Sequence, residues 1–254
     1  MRSHHALKMM KKKIFTWLAA LLLAEASTSV VSGATVLWSS PQSISGDADV
    51  STSGSIILAA NIGSATATTV NGVTFAAYNN TAAVPGLTDT LNLNPGAVFG
   101  NAAAPYSALS AGYQALIGSG RYTDGATLET LNLSGLTIGQ SYLVQFWVND
   151  SRGGGTSGRT LDLTAGATAV LDFNVQNVAG GLGQYVIGTF TANATTQSFD
   201  LLGSHSAGTT DSTQINGFQL RAVPEPSQAL LAMMGVVSVG LCRRRAVARR
   251  KIGS

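Results

Sequence analysis

The chain has 254 residues, of which 11% are charged, and its 15 Lys and Arg against 12 Asp and Glu give a formal net charge of +3. The basic excess lies at the two ends: residues 35–222 contain Arg121, Arg152, Arg159 and Arg221, no lysine and ten carboxylates, a net charge of −6. A body without lysine or a basic patch lacks the phosphate-neutralising surface of a nucleic-acid-binding protein. The single cysteine, Cys242, excludes a disulfide framework, a thiolate metal site or a cysteine nucleophile within that body.

Lys8, Lys11, Lys12 and Lys13 precede an apolar stretch from Ile14 to Ala24 and the small-residue sequence Ala24-Glu25-Ala26. A basic region, a short apolar run and an A-x-A site describe a secretory signal peptide, too short for a permanent span. Ser32-Gly33-Ala34 offers a second small-residue site. Residues 1–34 are therefore expected to be a leader removed by signal peptidase after Ala26 or after Ala34, leaving 35–222 as one domain with its own core.

The body reads as strands. Short runs rich in Val, Ile, Leu, Thr and aromatics alternate with Gly, Asn, Asp, Ser and Pro clusters, without helix-period stretches bearing Lys, Glu or Gln faces. Strands are expected at 35–38, 55–60, 67–76, 113–117, 127–133, 141–148, 159–164, 168–175, 184–192, 196–202 and 214–221. About eleven strands imply two packed antiparallel sheets, an all-β sandwich of the jelly-roll type or a related one. Asn71-Gly72 marks a tight hairpin turn, because both residues accept positive φ. Tyr142 to Val148 is apolar on nearly both sides and suits a central strand. Thr90-Leu91-Asn92-Leu93, Thr130-Leu131-Asn132-Leu133 and Thr160-Leu161-Asp162-Leu163 echo one another at unequal spacings, which gives one strand idiom reused and no solenoid period.

Candidate sites in the body are few. Asp47-Ala48-Asp49-Val50-Ser51-Thr52-Ser53-Gly54 alternates oxygens before a glycine, and Asp47 and Asp49 are candidate ligands for a structural Ca²⁺, although the EF-hand's later glutamate and its loop glycine at the sixth position are missing; a plain polar turn is the competing reading. Trp147, Asn149, Asp150 and Arg152, with Tyr106, Tyr113 and Tyr122, supply the aromatic faces and hydrogen-bonding groups that a sugar site needs. Against that, Trp147 lies within an apolar strand, which favours the core, and Asn149 to Arg152 before glycines is first of all a polar loop. His205, the only histidine of the body, has Ser204, Ser206, Asp200 and Asp211 near it in sequence, but no serine is framed as G-x-S-x-G, so an enzyme is the minor expectation.

The tail is the most specific segment. Val223-Pro224-Glu225-Pro226-Ser227 is followed by an apolar run, 229–242, then by Arg243-Arg244-Arg245 and Arg249-Arg250-Lys251. Fourteen residues of helix rise roughly 21 Å, short of the ~30 Å hydrocarbon core, so the run is a marginal single span helped by snorkelling arginines. A terminal helix packed on the domain is the alternative, opposed by the lack of any polar face from Leu230 to Val239. The cations after the run hold that end in the cytoplasm and the body outside.

This order resembles the PEP-CTERM sorting tail of bacterial surface proteins. The resemblance implies that Pro224, Glu225 and Pro226 are the recognition element of a membrane protease-transpeptidase, the exosortase, and that Arg243, Arg244 and Arg245 are the basic stop of residues 223–251. The segment 131–159 and the closing strand 215–221 also resemble jelly-roll domains of bacterial surface and carbohydrate-binding proteins in style. Together these imply an exported, non-enzymatic envelope or matrix protein, passing through the inner membrane and then sitting at the cell surface, in some cases beside exopolysaccharide. The alternative is a surface carbohydrate-binding module; a weaker one is ice binding, for which Thr66, Thr68 and Thr69 make no flat repeated array.

Overall fold

Apolar residues at every second position leave one strand face to be buried, and the burial of such faces against each other builds the body. The computed structural model describes residues 33–125, 127–153, 158–205 and 211–224, all within the unit that begins at Gly33. The leader expected at 1–32 and the tail from Glu225 onward lie outside the described residues.

In chain order the strands are β1 (Leu37–Trp38), β2 (Gln42–Ser43), β3 (Ser55–Ile62), β4 (Thr68–Val70), β5 (Val73–Tyr78), β6 (Leu87–Asp89), β7 (Leu93–Gly96), β8 (Gly120–Thr123), β9 (Glu129–Ser134), β10 (Ser141–Val148), β11 (Arg159–Ala165), β12 (Ala167–Asp172), β13 (Gln184–Thr191), β14 (Thr196–His205), β15 (Thr213–Ile215) and β16 (Gly217–Val223), with one helix, α1 (Ala111–Gly118), before β8. The first sheet runs β1-β13-β10-β16-β3-β5-β4 with β2 beside β13, the second β12-β11-β14-β9-β6, and a short third β15-β8-β7. The all-β sandwich expected from the sequence is present.

The two large sheets face each other through one apolar core. Tyr142, Val144, Phe146 and Val148 of β10 point into it, as do Leu131 and Leu133 of β9, Leu161 and Leu163 of β11, and Phe199 and Leu201 of β14. At its centre Phe146 meets Phe218 and Phe199 with ring centroids 4.8 and 5.0 Å apart, both edge-on. Ala34 and Val36 belong to the same core, 8% and 0% exposed, and the Val36 amide donates to the Ala165 carbonyl at 2.9 Å.

The first sheet is buried on its outer face as well, which is why β10 lacks polar alternation. Ala59, Phe75 and Trp147 meet Tyr113, Leu116 and Ile117 of α1, with Ile44, Val50 and Tyr106 from neighbouring segments.

Three expectations change. Residues 113–117 form the middle of α1, where a strand was expected. Ser110 caps the helix by accepting from the Tyr113 amide at 3.2 Å, and Tyr113, Leu116 and Ile117 fall at i, i+3 and i+4, one helical face. The expected single run 67–76 is the hairpin β4–β5, with Asn71 and Gly72 at φ 48° and 74° as the turn chemistry required. Because β5 folds back between β4 and β3, it runs parallel to β3, the one parallel pair among the described strands.

Removing Phe199, fully buried between the sheets, is expected to cost about 3–5 kcal/mol by loss of transfer energy plus a cavity. Urea denaturation of Phe199→Ala beside the unsubstituted protein measures it; a loss below about 1 kcal/mol would contradict the core described.

Candidate functional site

The strand ends furthest from the tail gather most of the polar residues singled out in the sequence. Trp147 is not one of the exposed groups there. Its ring is 0% exposed on the covered face of the first sheet, edge-on to Phe75 at 5.5 Å, and its Nε1 donates to the Tyr113 hydroxyl at 3.0 Å. It has no free face to offer a sugar in this structure.

Asn149 and Asp150 follow at the end of β10, both fully buried. The Asn149 amide group donates to the carbonyls of Phe99 and Ile117, each at 3.3 Å, and its Oδ1 accepts from the Gly183 amide at 3.0 Å. It therefore ties two loops and the end of α1 to β10. Asn216 does the same from β16's side, accepting from the Asn149 amide at 2.8 Å and donating to Ser119 and Ile117 carbonyls at 2.7 and 3.0 Å.

Asp150 is held by two arginines. Arg152 approaches bidentately, Nε at 2.8 Å and Nη2 at 2.6 Å, and Arg159 Nη1 lies at 2.9 Å. These hydrogen bonds to Asp150 raise the Arg152 guanidinium above its ordinary range. Arg159 is itself buried, stacks over Phe173 at 4.7 Å, and reaches Asp211 at 3.4 Å. Arg152 is half exposed and lies over Phe99 at 5.0 Å.

Beside this network opens a pocket of about 190 Å³ lined by Val98, Phe99, Tyr122, Asp124, Arg152 and Gln214, among others. It offers two aromatic rings, a carboxylate and two guanidinium groups, those of Arg152 and the more deeply buried Arg159, the groups that hold hydroxylated solutes. Its volume is below the ~300 Å³ of usual small-molecule sites, so it suits a single small residue of a longer ligand at most. Of the seven residues offered for a sugar site, Tyr122 and Arg152 line it; Asp150 stands behind Arg152 as its anchor.

Asp47 and Asp49 lie elsewhere, in a 3-10 turn against α1. Asp49 accepts from the Ser45 and Gly46 amides at 2.7 and 3.0 Å and from the Tyr113 hydroxyl at 3.2 Å, while Asp47 accepts from the Ser110 hydroxyl at 2.6 Å. The two carboxylates thus brace the helix on the sheet, and burial together with Asp49 pushes the Tyr113 hydroxyl well above its ordinary range. Among the described residues no group of three or more His, Cys, Asp or Glu is placed to hold a metal ion. His205 ends β14, half-buried and opposite Arg159, instead of lying in a solvated loop.

Sequence reasoning missed a polar stripe on the outer face of the first sheet. Gln145 accepts from the Ser51 amide at 3.0 Å and from Gln219 Nε2 at 2.7 Å, and Arg221 donates to the carbonyls of Ser53, Thr52 and Gly54 at 2.7–3.0 Å. The signal was the recurrence of Gln219 and Arg221 two residues apart in an otherwise apolar strand. The stripe fastens residues 49–54 across β10 and β16.

β16 ends at Val223, whose carbonyl accepts from Gln140 Nε2 at 2.9 Å, and Pro224 follows, exposed. Glu225, Pro226, Arg243, Arg244 and Arg245 lie outside the described residues.

The PEP-CTERM protein-sorting motif matches residues 222–246, and so takes in Pro224-Glu225-Pro226, the apolar run and the first arginine cluster. No curated protein matches the chain. Among solved structures, the ANXUR2 extracellular domain from Arabidopsis thaliana is similar over 67% of this chain and 49% of its own, at 11% identity and a TM-score of 0.42. The chain thus spans about half the length of that structure. The sorting motif implies an exported protein trafficked to the cell envelope.

The buried charges give an asymmetric expectation. Asp150→Ala leaves Arg159 buried without its main partner and should cost about 3–5 kcal/mol, whereas Arg152→Ala, at a half-exposed site, should cost under about 1 kcal/mol. Denaturant midpoints of both variants test this; equal losses would contradict it.

Proposed function

We propose that the chain is an exported, non-enzymatic protein of the cell envelope or extracellular matrix, delivered by a cleaved leader and then processed at its tail by an exosortase-type enzyme that reads Pro224-Glu225-Pro226. The observation that carries this reading is the sorting motif at 222–246, beginning within the last two residues of the final strand. Pro224, Glu225 and Pro226 are substrate positions in it, and Arg243, Arg244 and Arg245 hold the tail in the membrane long enough to be cut.

The leader is removed upstream of Gly33, at Ala26 instead of Ala34. Ala34 is packed in the core, and a side chain at position 33 would meet Gln197 at 2.8 Å, so both residues are built into the domain. Cutting after Ala34 would discard that contact and set an ammonium group one residue from the fully buried Val36.

A second reading, a carbohydrate-binding module, has its support in two observations. The order β3-β16-β10-β13 opposite β9-β14-β11-β12 resembles the interleaving of a jelly roll's two Greek keys, and Tyr122, Asp124 and Arg152 meet in one pocket. Saturable binding of a polysaccharide by the exported protein, lost in Tyr122→Ala with the fold intact, would favour it.

For the sorting reading, Glu225→Ala should leave the chain unprocessed in the membrane fraction of a host carrying the enzyme, although the apolar run is unchanged. Immunoblots of membrane and surface fractions report it. Normal release of the variant would count against recognition of the tripeptide.

A further inference from the structure

The two ends of the sandwich differ in charge. The tail departs from the end formed by residues 51–55, 83–87, 134–141, 165–168 and 191–196. These segments are joined to one another by hydrogen bonds from the Ser134 amide to Gly86, Leu136 to Thr195 and Gly139 to Ala192, at 2.8–3.0 Å, and Gly166 packs on Thr35. None of them contains Asp, Glu, Lys or Arg. The opposite end holds five carboxylates, Asp124, Glu129, Asp150, Asp172 and Asp211, against two guanidinium groups, those of Arg152 and Arg159. Arg221 is the nearest cation to the tail's exit, and its guanidinium is spent on the carbonyls of residues 52–54.

The uncharged end is also apolar. Leu37 is 72% exposed, Ile138 62%, Ile57 54% and Ile56 47%. Leu37 and Phe190 line a groove of about 360 Å³ together with Val223 and Pro224, so the chain leaves the fold through that groove. The other end exposes apolar residues as well, Leu128 at 58%, Val178 at 50%, Val98 at 42% and Val175 at 38%, so exposure alone does not separate the ends; there, however, they stand among charged groups.

We infer that this end of the sandwich is a lipid-facing surface, seated on an anionic bilayer while the tail is in the membrane, with Leu37 and Ile138 reaching into the headgroup layer. The inference rests on the proposed reading of the tail as membrane-inserted. Its argument is one of reach and charge. Four residues, 225–228, separate Pro224 from the apolar run at Ala229, and fully extended they span roughly 14 Å. The fold therefore cannot stand further from the hydrocarbon than that, and the headgroup layer itself takes roughly 5–8 Å of it. At such a separation, about a Debye length, carboxylates on the facing turns would be repelled by anionic lipid. They are absent from that end and concentrated on the other. Contact is enforced by the tail; an acidic body gains little from anionic lipid by itself.

The test uses the full chain with Cys242→Ser, so that one introduced cysteine carries an environment-sensitive fluorophore, at Ile138→Cys, Leu37→Cys or Val175→Cys. The chains are reconstituted into vesicles of phosphatidylcholine and phosphatidylglycerol containing headgroup spin-labelled lipid. Labels at 138 and 37 should be quenched at least twofold more than the label at 175. Equal quenching at all three positions, in chains that float with the vesicles, overturns the inference and leaves the tail reading standing. Failure of the chain to float with vesicles removes the tail reading and the inference together.

Discussion

The insertion of the last strand, β16, between β10 and β3 is the constraint on which the rest of the structure depends. It pairs over its whole length with β10 and over most of it with β3. Phe218 on its inner face completes the aromatic contact with Phe146 and Phe199, and Gln219 and Arg221 on its outer face fasten residues 51–54. Without β16 the first sheet is split in two and both of its faces lose their centre. The core therefore cannot close until residue 223 is available, a non-local closure of the kind that makes β-sandwiches slow to fold. Folding of the domain therefore waits for the delivery of its last strand.

The covering of the first sheet's outer face decides what the domain can bind. In a sandwich with a bare sheet, that face is available to a flat ligand. Here α1 and residues 44–50 occupy it, with Trp147 beneath them. The chain Asp49, Tyr113, Trp147 joins turn, helix and sheet by hydrogen bonds of 3.2 and 3.0 Å, so the cover is specified by polar contacts as well as by apolar area. What remains open is the far end, where Asp150 and its arginines hold loops whose exposed rim carries Tyr122, Asp124 and Arg152.

Much of the architecture was legible because strand alternation and turn chemistry are local. β3, β9, β10, β11, β13, β14 and β16 lie where their runs of Val, Leu, Ile and aromatics place them, and Asn71-Gly72 makes its turn. Short strands such as β2, β6 and β7 carry too few residues to show a period. Residues 113–117 misled because five residues, four of them apolar, fit either period; the deciding signal, Ser110 as a cap with Tyr113, Leu116 and Ile117 on one face, lay across the boundary of the run. The candidate site was legible in kind and not in place. Asn149 to Arg152 does form the polar end of β10, but a sequence does not say which of four adjacent polar residues turn inward, and here Asn149, Asp150 and Ser151 do, while Arg152 stays half exposed. The tail was the reverse case: a linear signal whose meaning needs no fold.

The final strand runs to Val223 and the sorting motif begins at residue 222, so fold and signal overlap. The proposed processing of the tail and the proposed seating of the sandwich on a membrane both rest on that junction. Native-state hydrogen exchange of the full chain measures it most directly, because amides that open only on global unfolding exchange at the slowest rate in the molecule. Amides of β16 that donate to β10 or β3 should exchange at that global rate up to the last turn of the ladder, near Ala222. Rapid exchange from Gln219 onward would mean that the strand frays into a linker, and the account of a tail starting where the fold ends would be wrong.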